Sequence, residues 1–428
     1  MKHTIEQINL KNGAKGIFIA VPDATVFTYD FNFRAGEYLV DPEKWEIPHL
    51  MEHVLLGANQ LIPSAKDFHA EIEKNGAYSN ASTGIYDISY EVECADFEWD
   101  RVLSLLIVAI SKPLFLKEEF ESEFGNVEEE LSARANNHFR RLSIEVRKAV
   151  GLKAKSDSDR LKLIKNVSVD DVKEHFKKTH YTGNMRFVLA GNITPGRKKQ
   201  FIEMLENIEL PKGRNRYALP LEKPVNPKKP IYVKNDSVDN LYVYLDTYMT
   251  RKLEENESDA LDLLITYLTE TIYSKILGTA RERGILYDMS SDILRTRDAT
   301  NWWFGAQVSE KNAAEYLDII ISEISKVRRG DISAHDIEVT KQYSLGRYQR
   351  SEQTVGGTSA GYCNRYFFEG TLNDYYRIPS RIKAITKDQI VEICNKMFEE
   401  KIWDLGVLGN CGEEFVNKLY SQIEVLWN

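Results

Sequence analysis

Residues 168–192 and 386–410 of this 428-residue chain repeat one pattern at a single offset of 218 (168 to 386, 192 to 410). Ser168-Val-Asp-Asp-Val172 and Thr386-Lys-Asp-Gln-Ile390 each open a helix, and each segment then closes a strand on Gly-Asn, at Asn192 and Asn410. Glu174/Glu392 and Lys178/Lys396 keep the same register. A looser correspondence joins Gly76-Ala-Tyr78 to Gly284-Ile-Leu286, each at the start of a strand-like segment. A match of this length at one offset marks a duplicated domain. Between the copies, residues 211–230 hold five of the twelve prolines, and proline restricts a chain to extended conformers, so this stretch reads as a linker. The expected division is a domain over 1–212, a linker over 213–230 and a second domain over 231–428. Residues 25–33 and 88–92 alternate like half-buried strands, whereas 100–109, 259–268 and 315–324 have helical periodicity. That mixture predicts an α+β fold of two homologous domains, each a mostly antiparallel sheet with helices packed on one face.

Only the first copy carries a candidate chemical centre. His49-Leu50-Met51-Glu52-His53 lies in a largely apolar run, with Pro48 suited to a first helical turn and Gly57 to a helix end. Residues four apart share a helix face, so both imidazoles reach one ion, and Glu52 lies close enough to touch a water beside it. Two imidazoles and a carboxylate with one open position suit Zn2+, and the order H-x-x-E-H is an inverted zinc-hydrolase signature. A third ligand is needed. On the helical pattern from Phe120 to Leu131, Glu123 and Glu130 are seven apart and project within roughly 20° of each other, while Glu129 points elsewhere. One of that pair can bind metal while the other orients a ligand.

These residues resemble the inverted-motif zinc peptidases of the insulinase, pitrilysin and mitochondrial processing peptidase type. In that family a glutamate ligand follows the motif by seventy-odd residues and is itself preceded, seven residues earlier, by another glutamate. The resemblance implies that His49, His53 and Glu130 are the zinc ligands, Glu52 the catalytic base and Glu123 a supporting carboxylate. Asn137 and Arg141 also match residues common on that helix. The run from Asn75 to Thr83 resembles the family's glycine turn and the strand bordering the cleft, which implies that Ala77, Asn80, Ala81 and Ser82 contact substrate. A small residue at Ser82, where relatives often place a bulky one, weakens any expectation of a preference for large apolar side chains. In the second copy Tyr287 matches a substrate-contacting tyrosine, but Ala280 stands where an arginine is usual. Arg281 and Arg283 lie nearby and read as solvated surface residues.

The resemblance implies a zinc-dependent endopeptidase acting on peptides or unfolded segments in an enclosed cleft. Such a cleft needs four domains and this chain has two, so a homodimer, or a heterodimer with a related chain supplying the Arg and Tyr, is expected. The alternative is a non-catalytic or partner-dependent subunit of a heterodimeric processing peptidase, although such chains usually lose ligands. A small-molecule hydrolase has no use for the second domain. Composition narrows the partners further. The net charge of −9 argues against a nucleic-acid footprint. No apolar run approaches the roughly 18 residues of a membrane span. The polar N-terminus lacks a signal-peptide core, and Cys94, Cys363, Cys394 and Cys411 show no pairing logic, so a reducing, cytoplasmic location is the expectation. The glycine-rich 356–361 lacks the Lys-Ser/Thr of a phosphate loop and reads as a turn.

Overall fold

The structure, a computed structural model, describes residues 1–213, 215–372 and 375–428. The first sheet is built from β1 (Thr4–Asn9), β2 (Lys15–Ala20), β3 (Val26–Phe33), β4 (Tyr78–Thr83), β5 (Ile88–Ala95) and β6 (Met185–Gly191), in the order β1-β2-β6-β3-β5-β4. Only β2 and β6 run parallel; the other pairings are antiparallel. The second sheet comprises β7 (Ile231–Lys234), β8 (Leu241–Met249), β9 (Met289–Arg295), β10 (Thr300–Val308) and β11 (Ile402–Gly409), in the order β7-β11-β8-β10-β9, with β7 and β11 its parallel pair. The expected α+β fold with two related, mostly antiparallel sheets is what the chain adopts. Linker residues 211–213 and 215–230 form neither helix nor strand.

The alternation along β3 explains why it is central to its sheet. Phe27, Tyr29, Phe31 and Phe33 are wholly buried in the core with Leu50, Met51, Val102 and Leu106 from the flanking helices. Thr28, Asp30 and Asn32 therefore face the opposite side, because successive strand residues alternate. The duplication is visible in local geometry. Ser168 and Thr386 each cap a helix, Val169–Thr179 and Lys387–Glu399, through a reciprocal capping box with Asp171 and Gln389. The strands that follow end at Gly191 and Gly409, which share a φ of 152° and 153°. A Cβ on Gly191 would lie 2.3 Å from the Phe27 ring, and one on Gly409 2.6 Å from Leu241 Cδ2.

Contact between elements divides the chain into two compact units, each of which includes a segment from the other half of the sequence. The first comprises Met1–Ser132, Ser158–Leu219 and Gln349–Tyr375; the second comprises Ala133–Asp157, Pro220–Tyr348 and Tyr376–Asn428. The break at Leu219 falls within the proline-rich stretch, and each unit takes in one segment from the other half of the sequence. In the first unit the helix Val355–Glu369 packs on β3 and β6, on the face bearing Asp30, to which Ser359 donates a hydrogen bond of 2.9 Å. In the second, the helix His138–Ala149 packs on β8 and β11 through Leu142 and Val146. Each sheet is thus covered by several helices on one face and by one further helix on the other. The glycine-rich stretch 356–361 is part of that covering helix, contrary to the expected turn. Thr354 caps it by accepting from Gly357 N at 2.9 Å, and a Cβ on Gly361 would lie 2.7 Å from the Tyr375 ring. Close packing here outweighs the weak intrinsic helix preference of glycine.

Candidate metal centre

The motif forms the helix Ile47–Leu55, with Pro48 in its first turn. Leu50, Met51, Val54 and Leu55 are buried in the first core, which fixes the opposite face of the helix and the positions of His49, Glu52 and His53 upon it. The second contributor is the helix Lys117–Ala135, anchored by buried Phe120, Val127 and Leu131. Its Glu119 carboxylate accepts from Ala58 N at 3.2 Å and Ala65 N at 2.8 Å, tying this helix to the loop after the motif. That attachment sets Glu123 and Glu130, about one and about three turns further on, opposite the imidazoles.

The three proposed ligands converge. One ligand atom each from His49, His53 and Glu130 lie within 4.8 Å of one another, and they form the one such group of three or more His, Cys, Asp or Glu found among the described residues. Glu130 Oε2 is 3.2 Å from His49 Nε2 and 3.4 Å from His53 Nε2. Both Nδ1 atoms are engaged elsewhere, His49 donating to Glu46 at 3.0 Å and His53 to Glu123 at 2.9 Å. A carboxylate on Nδ1 fixes the tautomer that leaves Nε2 as a lone-pair donor. The residues therefore fit a divalent cation such as zinc, which His49, His53 and Glu130 would hold: two oriented imidazoles, one carboxylate oxygen, and outer carboxylates that hold the rings. Glu52 is half-buried one turn from His49 on the same helix.

The electrostatics reflect this crowding of carboxylates. Burial opposes a charge on His53, but its hydrogen bonds to Glu123 and Glu130 outweigh that and hold its pKa up at about 9. Burial likewise opposes a charge on His49, and bonds to Glu130 and Glu46 more than offset it, so its pKa is raised. The hydrogen bond from His53 lowers the pKa of Glu123. Behind His49 lies an ion pair with no sequence signature. Arg160 donates Nε to Glu46 Oε1 at 2.5 Å and Nη2 to Oε2 at 2.8 Å, and Glu37 Oε1 lies 3.9 Å from the same guanidinium. Glu46 is wholly buried, and Arg160 and Glu37 are nearly so. Burial alone would raise the pKa of Glu46; the bonds from His49 and Arg160 lower it. Glu46 and Glu119 are positions beside the candidate centre that sequence reasoning missed.

The remaining expected residues fall in two places. Ala77 is buried just before β4, and Asn80, Ala81 and Ser82 lie along it. β4 is an edge strand, hydrogen-bonded to β5 alone, and its Thr83 Oγ1 donates to Pro48 O of the motif helix at 3.4 Å. Ala81 packs toward the first core, whereas Asn80 and Ser82 are exposed on the opposite face. Asn137 caps the helix His138–Ala149, accepting from Arg140 N at 2.9 Å, which is a structural task. Tyr287 belongs to the second unit and is 79% exposed. Arg281, expected to be merely solvated, stacks 4.5 Å over the Tyr287 ring and donates to its carbonyl at 2.8 Å. Ala280 is buried within that unit.

Residues 41–158, which hold every ligand candidate, match the family model described as insulinase, peptidase family M16, and residues 166–343 match that of the peptidase M16 inactive domain. The chain belongs to peptidase family M16. The M16 fold extends over nearly its whole length. A protease from Helicobacter pylori is similar with a TM-score of 0.82 at 17% identity, covering 95% of this chain and 99% of that one. A Pseudomonas fluorescens structure described as a peptidase M16 inactive domain has a TM-score of 0.83 at 14% identity, covering 96% and 98%. A chain of complex III2 from Candida albicans has a TM-score of 0.80 at 12% identity, covering 98% and 99%. No curated protein matches by sequence. None of the helices described is long and apolar enough to cross a membrane.

Proposed function

We propose that this M16 chain is a zinc-dependent endopeptidase that hydrolyses extended peptides or unfolded segments. The observation that carries the reading is the convergence of His49, His53 and Glu130 within 4.8 Å, with each imidazole oriented by its own carboxylate. Zinc bound by this set supplies a Lewis acid and lowers the pKa of a water to about 7. Glu52 is the group that accepts the proton of the attacking water and returns it to the leaving amine. Glu123 keeps His53 in the productive tautomer, and Glu46 does the same for His49. The outer edge of β4 presents unpaired main-chain groups beside the motif helix, so a peptide adds to it as a further strand through bonds that ignore side-chain identity. Selection by length and extended shape follows from that mode.

Glu52→Gln is the test: zinc content stays at one per chain while kcat falls by about 10²–10⁴. Full turnover in that variant rejects Glu52 as the base, and failure of the wild-type protein to bind zinc rejects the enzyme. A dimer, with a second copy or a related chain, forms part of the proposal and is tested by solution mass. A second reading, a non-catalytic subunit, is favoured by the likeness to a complex III2 chain and by the description of the second family match as inactive. Peptide binding without hydrolysis by zinc-loaded protein selects that reading.

A further inference from the structure

We propose that the cavity on the face of the first sheet opposite the metal ligands is a subsite for one cationic side chain, arginine or lysine, of an extended peptide. The proposal rests on the peptide reading above and adds a charge preference to it. The helix Val355–Glu369 covers β3 and β6. Beyond it the face over β5 and β4 is open, and Glu91, Asn80 and Ser82 are exposed there. Between helix and sheet lies a cavity of about 230 Å³, walled by Thr28, Asp30 and Glu91 on the strands and by Gly356, Ser359 and Ala360 on the helix.

Three features of this cavity point to a cation. First, among the described residues two carboxylates line it and no lysine or arginine does. Arg34 and Arg216 reach its far end at Phe367, but they donate to the carbonyls of Phe367 and Phe368 at the helix terminus. Second, Thr28 is only 2% exposed, and its Oγ1 has no hydrogen-bond partner, leaving a buried acceptor in the wall. A polar group in that state costs free energy until something bonds to it. Third, burial raises the pKa of Asp30 to about 6, with the Glu91 charge adding to the rise and the Ser359 hydroxyl opposing it. A positive group entering the cavity offsets both of the raising effects.

The shape favours an organic cation over a metal ion. Asp30 and Glu91 belong to no group of three close metal donors among the described residues. The helix side is kept small, and a Cβ on Gly356 would already lie 3.1 Å from Glu93 Oε2. An aliphatic stem with a charged head therefore fits, the stem along Ala360 and the head between the acids. Strand geometry supplies the route. Asn80 and Ser82 face the cavity side of β4 while Ala81 faces the metal side, so a strand added to β4 sends alternate side chains over the two faces.

The test uses zinc-loaded Glu52→Gln protein and fluorescent ten-residue peptides that differ only in carrying one arginine or its neutral isostere citrulline. Anisotropy titration is expected to give about tenfold or tighter binding of the arginine peptide, the range for a hydrogen-bonded charge. Adding Glu91→Gln, at an exposed position where folding is not at risk, removes that difference. Gly356→Leu, which fills the cavity, removes it as well. Equal binding of the two peptides, a preference that survives Glu91→Gln, or no binding of either overturns the proposal. Failure of the peptidase reading has a different signature: the wild-type protein binds the arginine peptide preferentially and leaves it uncut.

Discussion

Glu46→Gln isolates the contribution of the buried pair behind His49. The wild-type carboxylate is inaccessible to solvent and accepts three hydrogen bonds, two from Arg160 and one from His49 Nδ1. Glutamine keeps the volume but turns one acceptor into a donor, so an N–H now faces either the guanidinium or the imidazole N–H. Losing an outer partner of a metal-binding histidine typically weakens metal by about 10–100-fold, equivalent to about 1.4–2.8 kcal/mol. A competing effect has the opposite sign. Glu46 helps to raise the pKa of His49, so removing its charge makes the imidazole easier to deprotonate and eases proton competition with zinc. Proton competition fades at alkaline pH, so the loss of orientation stands alone there. The expected result is a zinc Kd, read by chelator competition, that rises about tenfold at pH 7 and more at pH 9. Unfolding in urea should also cost less, by about 3 kcal/mol, because Arg160 loses the charge of its nearest carboxylate, which it contacts at 2.5 and 2.8 Å, while itself staying buried. A variant that is destabilised yet binds zinc within twofold of wild type at both pH values refutes the positioning role and leaves Glu46 as a structural ion-pair partner.

Two further predictions concern stability. Asp246 and Asp404 face each other across β8 and β11, both wholly inaccessible, and neither oxygen of Asp404 has a hydrogen-bond partner. Burial raises both pKa values, that of Asp246 to about 7, with the charge of Asp246 pushing Asp404 up further. Acids raised on folding contribute stability that is complete below the ordinary carboxylate range and is lost as pH rises through their folded values. Urea midpoints should therefore fall between pH 5 and pH 9, and Asp404→Asn should flatten that fall and add about 1–3 kcal/mol at pH 9; an unchanged slope removes the pair as its cause. Gly191→Ala should cost about 1–3 kcal/mol, because its Cβ meets the rigid Phe27 ring, whereas Gly76→Ala, with no atom within 4 Å, pays only for its backbone conformation. Equal losses in calorimetry would discount the close approach.

Local patterns were legible in the sequence where one short element carries the whole signal. His49 and His53 lie four apart on one helix, and Glu123 and Glu130 seven apart on another, so helical geometry alone sets each pair on a common face. The duplication was legible because its capping residues and terminal glycines recur at one offset. Glu46 was not, since its partner Arg160 is 114 positions away and no periodicity links residues on separate helices. The run from Gly356 to Gly361 misleads because glycine content suggests a turn, whereas the helix there is stabilised by Thr354 and by contact with neighbours that glycine alone lets approach. The Arg281–Tyr287 stack escaped for a related reason. Angles around a helix predict where a side chain starts, but a long arginine curls back over a ring six residues ahead.

The helix Val355–Glu369 belongs to the first unit although it is encoded well after the linker. All six strands of the first sheet have been synthesised once Gly191 is made, yet the side bearing Thr28, Asp30 and Asn32 stays bare until roughly 180 further residues are added. Splitting the gene at the proline-rich stretch would therefore not yield two self-sufficient proteins. Each fragment would lack a piece held by its sibling, so the halves of this duplication are committed to being translated, folded and inherited together.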